Sequence, residues 1–271
     1  MVRADTGNRS DTERTDDTRH TENTDRTSDA DDDPLALAAA LLRSVRYGEP
    51  TRRYERALRD LPPAALRDAL ATDDRRLAFW LNVYNAHVQL LLDAAPEQLQ
   101  DRRRFFAAEI VAVAGHELSL DDIEHGLLRR SRHSLGLGYL PRPADTFERV
   151  HRLDSRDPRI HFALNCGAES CPPILAYDHG TIDDQLDTAT AGYLETEVAY
   201  DPDRGVVRVP RHMLWYRGDF GGRRGIRSLL CEHGIVPADA TPAIRYRSYD
   251  WSLSLGRFAG SRSDGSDTPR E

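Results

Sequence analysis

The chain has 271 residues, 39% hydrophobic and 30% charged, with a formal net charge of −8. That balance fits a globular protein with solvated ends, and no run approaches the roughly 18 apolar residues needed to span a bilayer. All 37 basic residues are Arg, which excludes a lysine general base, a Schiff-base lysine and a P-loop lysine.

The acidity sits mainly at the ends. Residues 1–34 hold 11 acids against five Arg, and the last twelve residues three against two, so the stretch between is nearly neutral. A neutral core argues against a nucleic-acid surface. Residues 1–33 are Asp, Thr, Arg, Ser and Asn with almost nothing apolar, a composition that cannot offset the entropy of ordering. They read as a disordered acidic arm, residues 34–259 as a single globular domain, and residues 260–271 as a disordered tail. An acidic, lysine-free chain also suits a high-salt cytoplasm. Three cysteines, Cys166, Cys171 and Cys231, do not make a disulfide framework. With no apolar leader at the N-terminus, the expectation is a cytoplasmic protein with reduced thiols and no membrane association.

In chain order, Leu35 to about Phe106 is helical in pattern. Pro34 fits a first turn, Pro62 and Pro63 open a second segment, and Asp73 can cap a third. That third segment, RRLAFWLNVYNAHVQLLLDAA, is apolar nearly all round and predicts a buried helix. EIVAVAGHELSL reads as a small hairpin turning at a glycine. Ser119 then caps a helix, with Asp122 at the third position as a variant of the capping box. DPRIHFALNCG alternates apolar Ile160, Phe162 and Leu164 with Arg159, His161 and Ala163, which predicts a strand. A helix follows over Ile182 to about Val198, then a short strand at VVRVP. A further helix stops at Gly234, and a last strand lies near Tyr246–Leu253. The fold class that results is α+β: a helix-rich domain with a small, mainly antiparallel sheet.

Three segments carry candidate chemistry. On the long helix, Asn82, Asn85 and Gln89 are three and four apart and share a face; such amides either fasten neighbouring loops or orient a site. In SLDDIEHGLLRR, Glu124 falls in or beside the apolar face of Leu120, Ile123 and Leu127, where a carboxylate needs a cation or several donors. His125 and Arg129 lie four apart on the opposite side. In IHFALNCGAESCPPI, the expected strand presents His161 and Asn165 on one face and leads into a loop with Cys166, Ser170 and Cys171.

Four readings of that loop stay open. A thiol nucleophile needs an imidazole, from His161 or His125, oriented by an amide or carboxylate such as Asn82 or Glu124. Backbone amides of Gly167–Ser170 would then hold an oxyanion. A metal site with His161 and the cysteines has poor spacing, and a redox pair normally uses CxxC. Buried packing thiols are the fourth. WYRGDF at 215–220 and SYDWSLS at 248–254 mix aromatics with Asp219 and Asp250 and suit the edge of a cleft. GxGxxG, Walker, HExxH and GxSxG motifs are absent, so neither a nucleotide nor another cofactor is expected.

The segments LAFWLNVYNAH, LSLDDIEHGLLR, DPRIHFALNCGAESCPPI, WYRGDF and YDWSLS, in this order, resemble the DUF547 family, a domain of unknown function. The likeness spans about Leu77 to Ser254; Ser254 stands where the family is expected to carry Asn. The resemblance implies a shared polar set of Trp80, Asn82, Asn85, Glu124, His125, Arg129, His161, Cys166, Ser170, Cys171 and Asp219. It does not imply an activity. Two functions follow from these residues. One is cysteine-dependent acyl transfer or hydrolysis, with Cys166, Cys171, His161, His125, Glu124 and Asn82 as the catalytic candidates. The other is a non-catalytic module that binds a small molecule or a protein, where Trp80, Asn85, Arg129, Ser170 and Asp219 shape the pocket.

Overall fold

The computed structural model describes residues 33–260. The acidic arm and the C-terminal tail therefore lie outside the described residues, apart from Asp33 and Gly260. Asp33 belongs to the fold: its carboxylate accepts from the amides of Leu35 and Ala36 and caps the first helix, α1 (Pro34–Tyr47).

Helices α2 (Arg52–Asp60) and α3 (Pro63–Ala69) follow. Helix α4 (Asp73–Ala94) is the long buried helix, and α1 packs along it. Its cap is Thr72, not Asp73: the Thr72 hydroxyl accepts from Arg75 N at 3.4 Å. Asp73 instead enters the first turn, where a negative charge suits the helix dipole.

After a 3-10 turn and the short α5 (Arg102–Phe106), β1 (Val111–Val113) and β2 (His116–Leu118) form the expected hairpin. Ser119 and Asp122 make the reciprocal capping box, with Ser119 N to Asp122 Oδ2 at 3.1 Å and Asp122 N to Ser119 Oγ at 3.0 Å. The helix that they open is a π-helix over Asp122–Leu128, seen in the i+5 bond from Arg129 N to Glu124 O at 2.8 Å. Helix α6 spans Thr146–His151.

The segment read as a strand is a 3-10 turn, Pro158–Phe162. Asp157 caps it by accepting from Arg159 N at 2.9 Å, with Pro158 in its first turn. The apolar alternation has another cause: Ile160 enters one hydrophobic core and Phe162 a second.

Helix α7 (Ile182–Glu197) spans both cores, with Ile182 and Leu186 in the first and Tyr193 and Leu194 in the second. The second core is completed by β3 (Ala199–Asp201), β4 (Val206–Val209), α8 (His212–Trp215), α9 (Gly222–Glu232) and β5 (Ala243–Tyr246). The last strand ends at Tyr246, where the expected one was to begin; residues 247–253 form no strand, and Leu253 makes only an isolated bridge to Ala168. β4 pairs antiparallel with β3 and parallel with β5. The helix-rich α+β reading stands, with its strands divided between a hairpin and this three-stranded sheet. No helix among the described residues is long and apolar enough to cross a membrane.

Candidate functional site

His161 sits on the seam between the two cores, between Ile160 and Phe162. Its ring is stacked on Tyr216, with centroids 4.1 Å apart and planes 5° from parallel. Its Nε2 lies 3.0 Å from Asp219 Oδ2. The same carboxylate accepts from Arg129 Nε at 2.6 Å, and its other oxygen from Arg156 Nη1 at 3.1 Å. The Arg129 guanidinium also lies over the Tyr216 ring, 4.4 Å from its centroid. Arg129 and Asp219 therefore join the π-helix of the first core to the loop after α8 of the second.

The π-helix is what assembles this cluster. Sequence periodicity placed His125 and Arg129 away from the buried side, but i→i+5 winding turns both inward, and their residues are 8% and 1% exposed. Arg129 Nη1 donates to His125 Nδ1 at 2.8 Å, so that nitrogen is an acceptor. Arg130 and Ser131 then take left-handed φ values of 54° and 58° and end the helix abruptly. Non-glycine residues in that region store strain of order 1–3 kcal/mol and cluster at working sites.

A second close approach places Asp219. Gly218 N donates to Leu137 O at 2.7 Å. A Cβ on Gly218 would lie 2.5 Å from the carbonyl carbon of Gly138, and one on Gly138 2.7 Å from Asp219 N. Both positions need glycine for steric reasons, and Gly138 also for its φ of +80°.

The cluster opens on a cavity of about 380 Å³, within the range of small-molecule sites. Glu124, His125, His161 and Cys166 all line it. His212 and Asp121 line it too, and neither was singled out from sequence. His212 follows Arg211 in the stretch RHMLW, where no local pattern marks it as a site residue. Trp215, Tyr216, Tyr249 and Trp251, from the two aromatic segments, form much of the remaining wall. Trp215, Tyr249 and Trp251 are clustered, with centroids 4.6–5.9 Å apart.

Charge states follow from burial. Burial lowers His161 below the usual imidazole range despite the opposing pull of Asp219. It takes His125 down to about 4 and His212 to about 3. All three are neutral at pH 7. Burial raises Asp121 to about 6, helped by Glu124 and Asp122. Burial works against ionised Glu124 and Asp219 as well, but neighbours outweigh it. His125 and Arg129 hold Glu124 below its ordinary value, and the hydrogen bond from His161 to Asp219, together with the Arg129 charge, takes Asp219 to about 2.

Cys166 and Cys171 are joined by a disulfide, which corrects the expectation of reduced thiols. In this form neither sulfur is a nucleophile. The Tyr249 hydroxyl lies 3.1 Å from each. Cys171 is buried and does not line the cavity. Three of the four proposed oxyanion amides are committed elsewhere: Gly167 N donates to Asn165 Oδ1, Glu169 N to Ser252 O and Ser170 N to Asp250 O. Among the described residues, no group of three or more His, Cys, Asp or Glu is placed to hold a metal ion.

Other predicted site residues hold the fold. Asn82 makes both its amide bonds to the Tyr177 backbone, at 2.8 and 2.9 Å. Asn85 bonds Ala163 O and Asn165 N. The Trp80 indole donates to His151 O at 3.2 Å. Ser170 Oγ accepts from Asp250 N, docking the C-terminal segment. Asn165 faces α4 with its own amide bonded to Pro172 O, so it does not share a face with His161.

The fold and site thus define an α+β protein in which a carboxylate-held imidazole, His161, and one half of a disulfide, Cys166, line one cavity. Residues 68–194 match the model of the family described as "Protein of unknown function, DUF547". The matched span holds Glu124, His125, Arg129, His161 and both bridged cysteines, and ends before Asp219 and Tyr249. No curated protein and no solved structure matches the chain.

Proposed function

We propose that residues 34–259 form one catalytic domain that performs cysteine-dependent acyl transfer or hydrolysis, with Cys166 as nucleophile and His161 as base. One observation carries this reading: Cys166 lines the same cavity as a buried His161 whose Nε2 is held by Asp219. With His161 neutral, Nε2–H donates to Asp219, and Nδ1 has no hydrogen-bond partner among the described residues. Nδ1 is then the nitrogen left to take a proton, and Asp219 orients the ring and stabilises the imidazolium that forms.

A dithiol reductant first opens the disulfide, its own two thiols becoming a disulfide while Cys166 and Cys171 gain the two hydrogens. His161 Nδ1 then removes the Cys166 proton, and the sulfur attacks an acyl carbon. The leaving group departs with that proton and leaves an acyl thioester. Water or another acceptor breaks the thioester and restores the thiol. A reducing cytoplasm is the compartment in which this form persists, and a lysine-free acidic chain suits one rich in salt.

The bonded state of the two cysteines favours a second reading, a binding module in which the disulfide only shapes the cavity wall. Site-resolved alkylation of the reduced protein separates the two. The catalytic reading expects Cys166 to be modified well below pH 8.5, the approximate pKa of a free thiol. His161→Gln and Asp219→Asn should both move that profile upward, and an acyl electrophile should leave its acyl group on Cys166. Protection of reduced Cys166 until the protein unfolds would leave the binding module.

A further inference from the structure

The cavity has a charge asymmetry that the proposed thiol chemistry does not use. Its formally charged wall residues are both acids, Asp121 and Glu124, and its three histidines are neutral at pH 7. The nearby arginines make their bonds elsewhere. Arg129 bonds Asp219 and His125, helping to keep Glu124 ionised without a hydrogen bond to it, Arg142 pairs with Asp122 and Glu148, and Arg102 stacks on Trp251 at 4.4 Å. None of the three lines the cavity.

Two polar atoms on this wall also lack partners. Glu124 Oε1 is buried without a hydrogen-bond partner, although the Tyr84 hydroxyl lies 3.5 Å from Oε2 and the Tyr216 hydroxyl also faces the carboxylate. His125 Nδ1, 3.5 Å from it, cannot serve, because it already accepts from Arg129. His212 is 6% exposed, and its Nε2 is buried without a partner. Orphaned groups of this kind cost roughly 1–3 kcal/mol each, more when charged, unless something that enters the cavity satisfies them. The same cavity is lined by Trp215, Tyr249 and Trp251, whose ring faces attract cations and whose area favours an apolar body.

We propose that this cavity binds an amine-bearing ligand, with its ammonium donating to Glu124 and Asp121 and its apolar body against Trp215, Tyr249 and Trp251. A second polar group on the ligand meets His212 Nε2. This rests on the reading of the cavity as the working site, and it names the substrate class as an aromatic or aliphatic compound carrying a primary amine.

The test is made on the oxidised protein, with the disulfide intact, so that binding is read without thiol chemistry. 2-Phenylethylammonium and its neutral counterpart, 2-phenylethanol, are titrated in by calorimetry and by fluorescence, to which Trp215 and Trp251 at the cavity contribute. The ammonium should bind at least about tenfold more tightly than the alcohol. Glu124→Gln and Asp121→Asn should each reduce that ratio, and Trp251→Ala should weaken both ligands. Asp121→Asn, at a partly exposed side chain, remains informative if Glu124→Gln does not fold. Equal binding of the two ligands, no binding of either, or a preference for the anion 3-phenylpropionate would overturn the proposal. Any of these results would leave the thiol reading standing, because the alkylation profile of Cys166 is measured separately on reduced protein.

Discussion

Two polar rows are buried in this protein, and they are used in opposite ways. On α4, Asn82, Asn85 and Gln89 are neutral, and each uses both its amide oxygen and its amide nitrogen. Their partners are the backbones of Tyr177, Ala163, Asn165 and Gly256 and the side chain of Asn165, all in connecting segments. On the π-helix, Glu124, His125 and Arg129 are charged or ionisable, and the row leaves Glu124 Oε1 and Arg129 Nη2 without partners. A complete set of hydrogen bonds marks a device that fastens loops. An incomplete, charged set beside a cavity marks a place where something else is to bind or react.

The largest effect should come from breaking the charged row. Arg129→Met leaves buried Asp219 with only Arg156 and His161, and should cost about 3–5 kcal/mol in denaturant unfolding. It should also remove the pH profile of Cys166, because Arg129 helps fix the Asp219 that orients His161. A loss of stability with the profile intact would place Arg129 with the structural row.

Acid should act next, and again on the charged side of the molecule. His125 and His212 titrate near 6.5 in the unfolded chain but at about 4 and about 3 when folded. The unfolded state therefore takes protons first. The contribution of each is present above about pH 6.5 and is lost as the pH falls toward the folded value, at roughly 1.4 kcal/mol per pH unit. Unfolding curves measured between pH 7 and pH 4 should show this slope, and His212→Asn should flatten it.

Breaking the neutral row should be somewhat milder and functionally silent. Asn85→Ala strands Ala163 O and Asn165 N in the interior and should cost about 2–4 kcal/mol. Amine binding at the cavity should persist in the folded fraction. If Asn85→Ala instead abolishes binding at temperatures where the protein is folded, the contrast between the rows fails. The smallest effect should come from the disulfide. It closes a short loop, so Cys166→Ser with Cys171→Ser should lower stability by only about 2 kcal/mol in thermal unfolding.

Much of the first core was legible from sequence. A long segment apolar on all sides predicts a buried helix, and α4 is one. A hydrophobic run broken by a glycine predicts the hairpin. Ser119 with Asp122 marks the helix start because both partners of the capping box lie within four residues. The candidate site was legible in part. Glu124, His125, His161 and Cys166 were chosen by chemical type, and they meet at the cavity. Asn82 and Asn85 have equally suggestive chemistry, but only their partners on distant loops show that they are fasteners. His212 and Asp121 were missed because nothing local separates a cavity-lining His or Asp from a surface one.

Sequence by itself therefore determined what depends on near neighbours: helix starts and stops, the hairpin turn, the apolar face of α4 and the types of residue available for chemistry. Tertiary structure decided what depends on distant ones. The stretch around His161 alternates like a strand, yet it folds as a 3-10 turn because Ile160 and Phe162 are drawn into different cores. The same choice leaves His161 on the seam, where Asp219 arrives from 58 residues away. The π winding at Glu124–Arg129 and the bond between Cys166 and Cys171 have the same origin. Each is settled by what packs against the segment, and burial of charge and sulfur is a property of the whole fold.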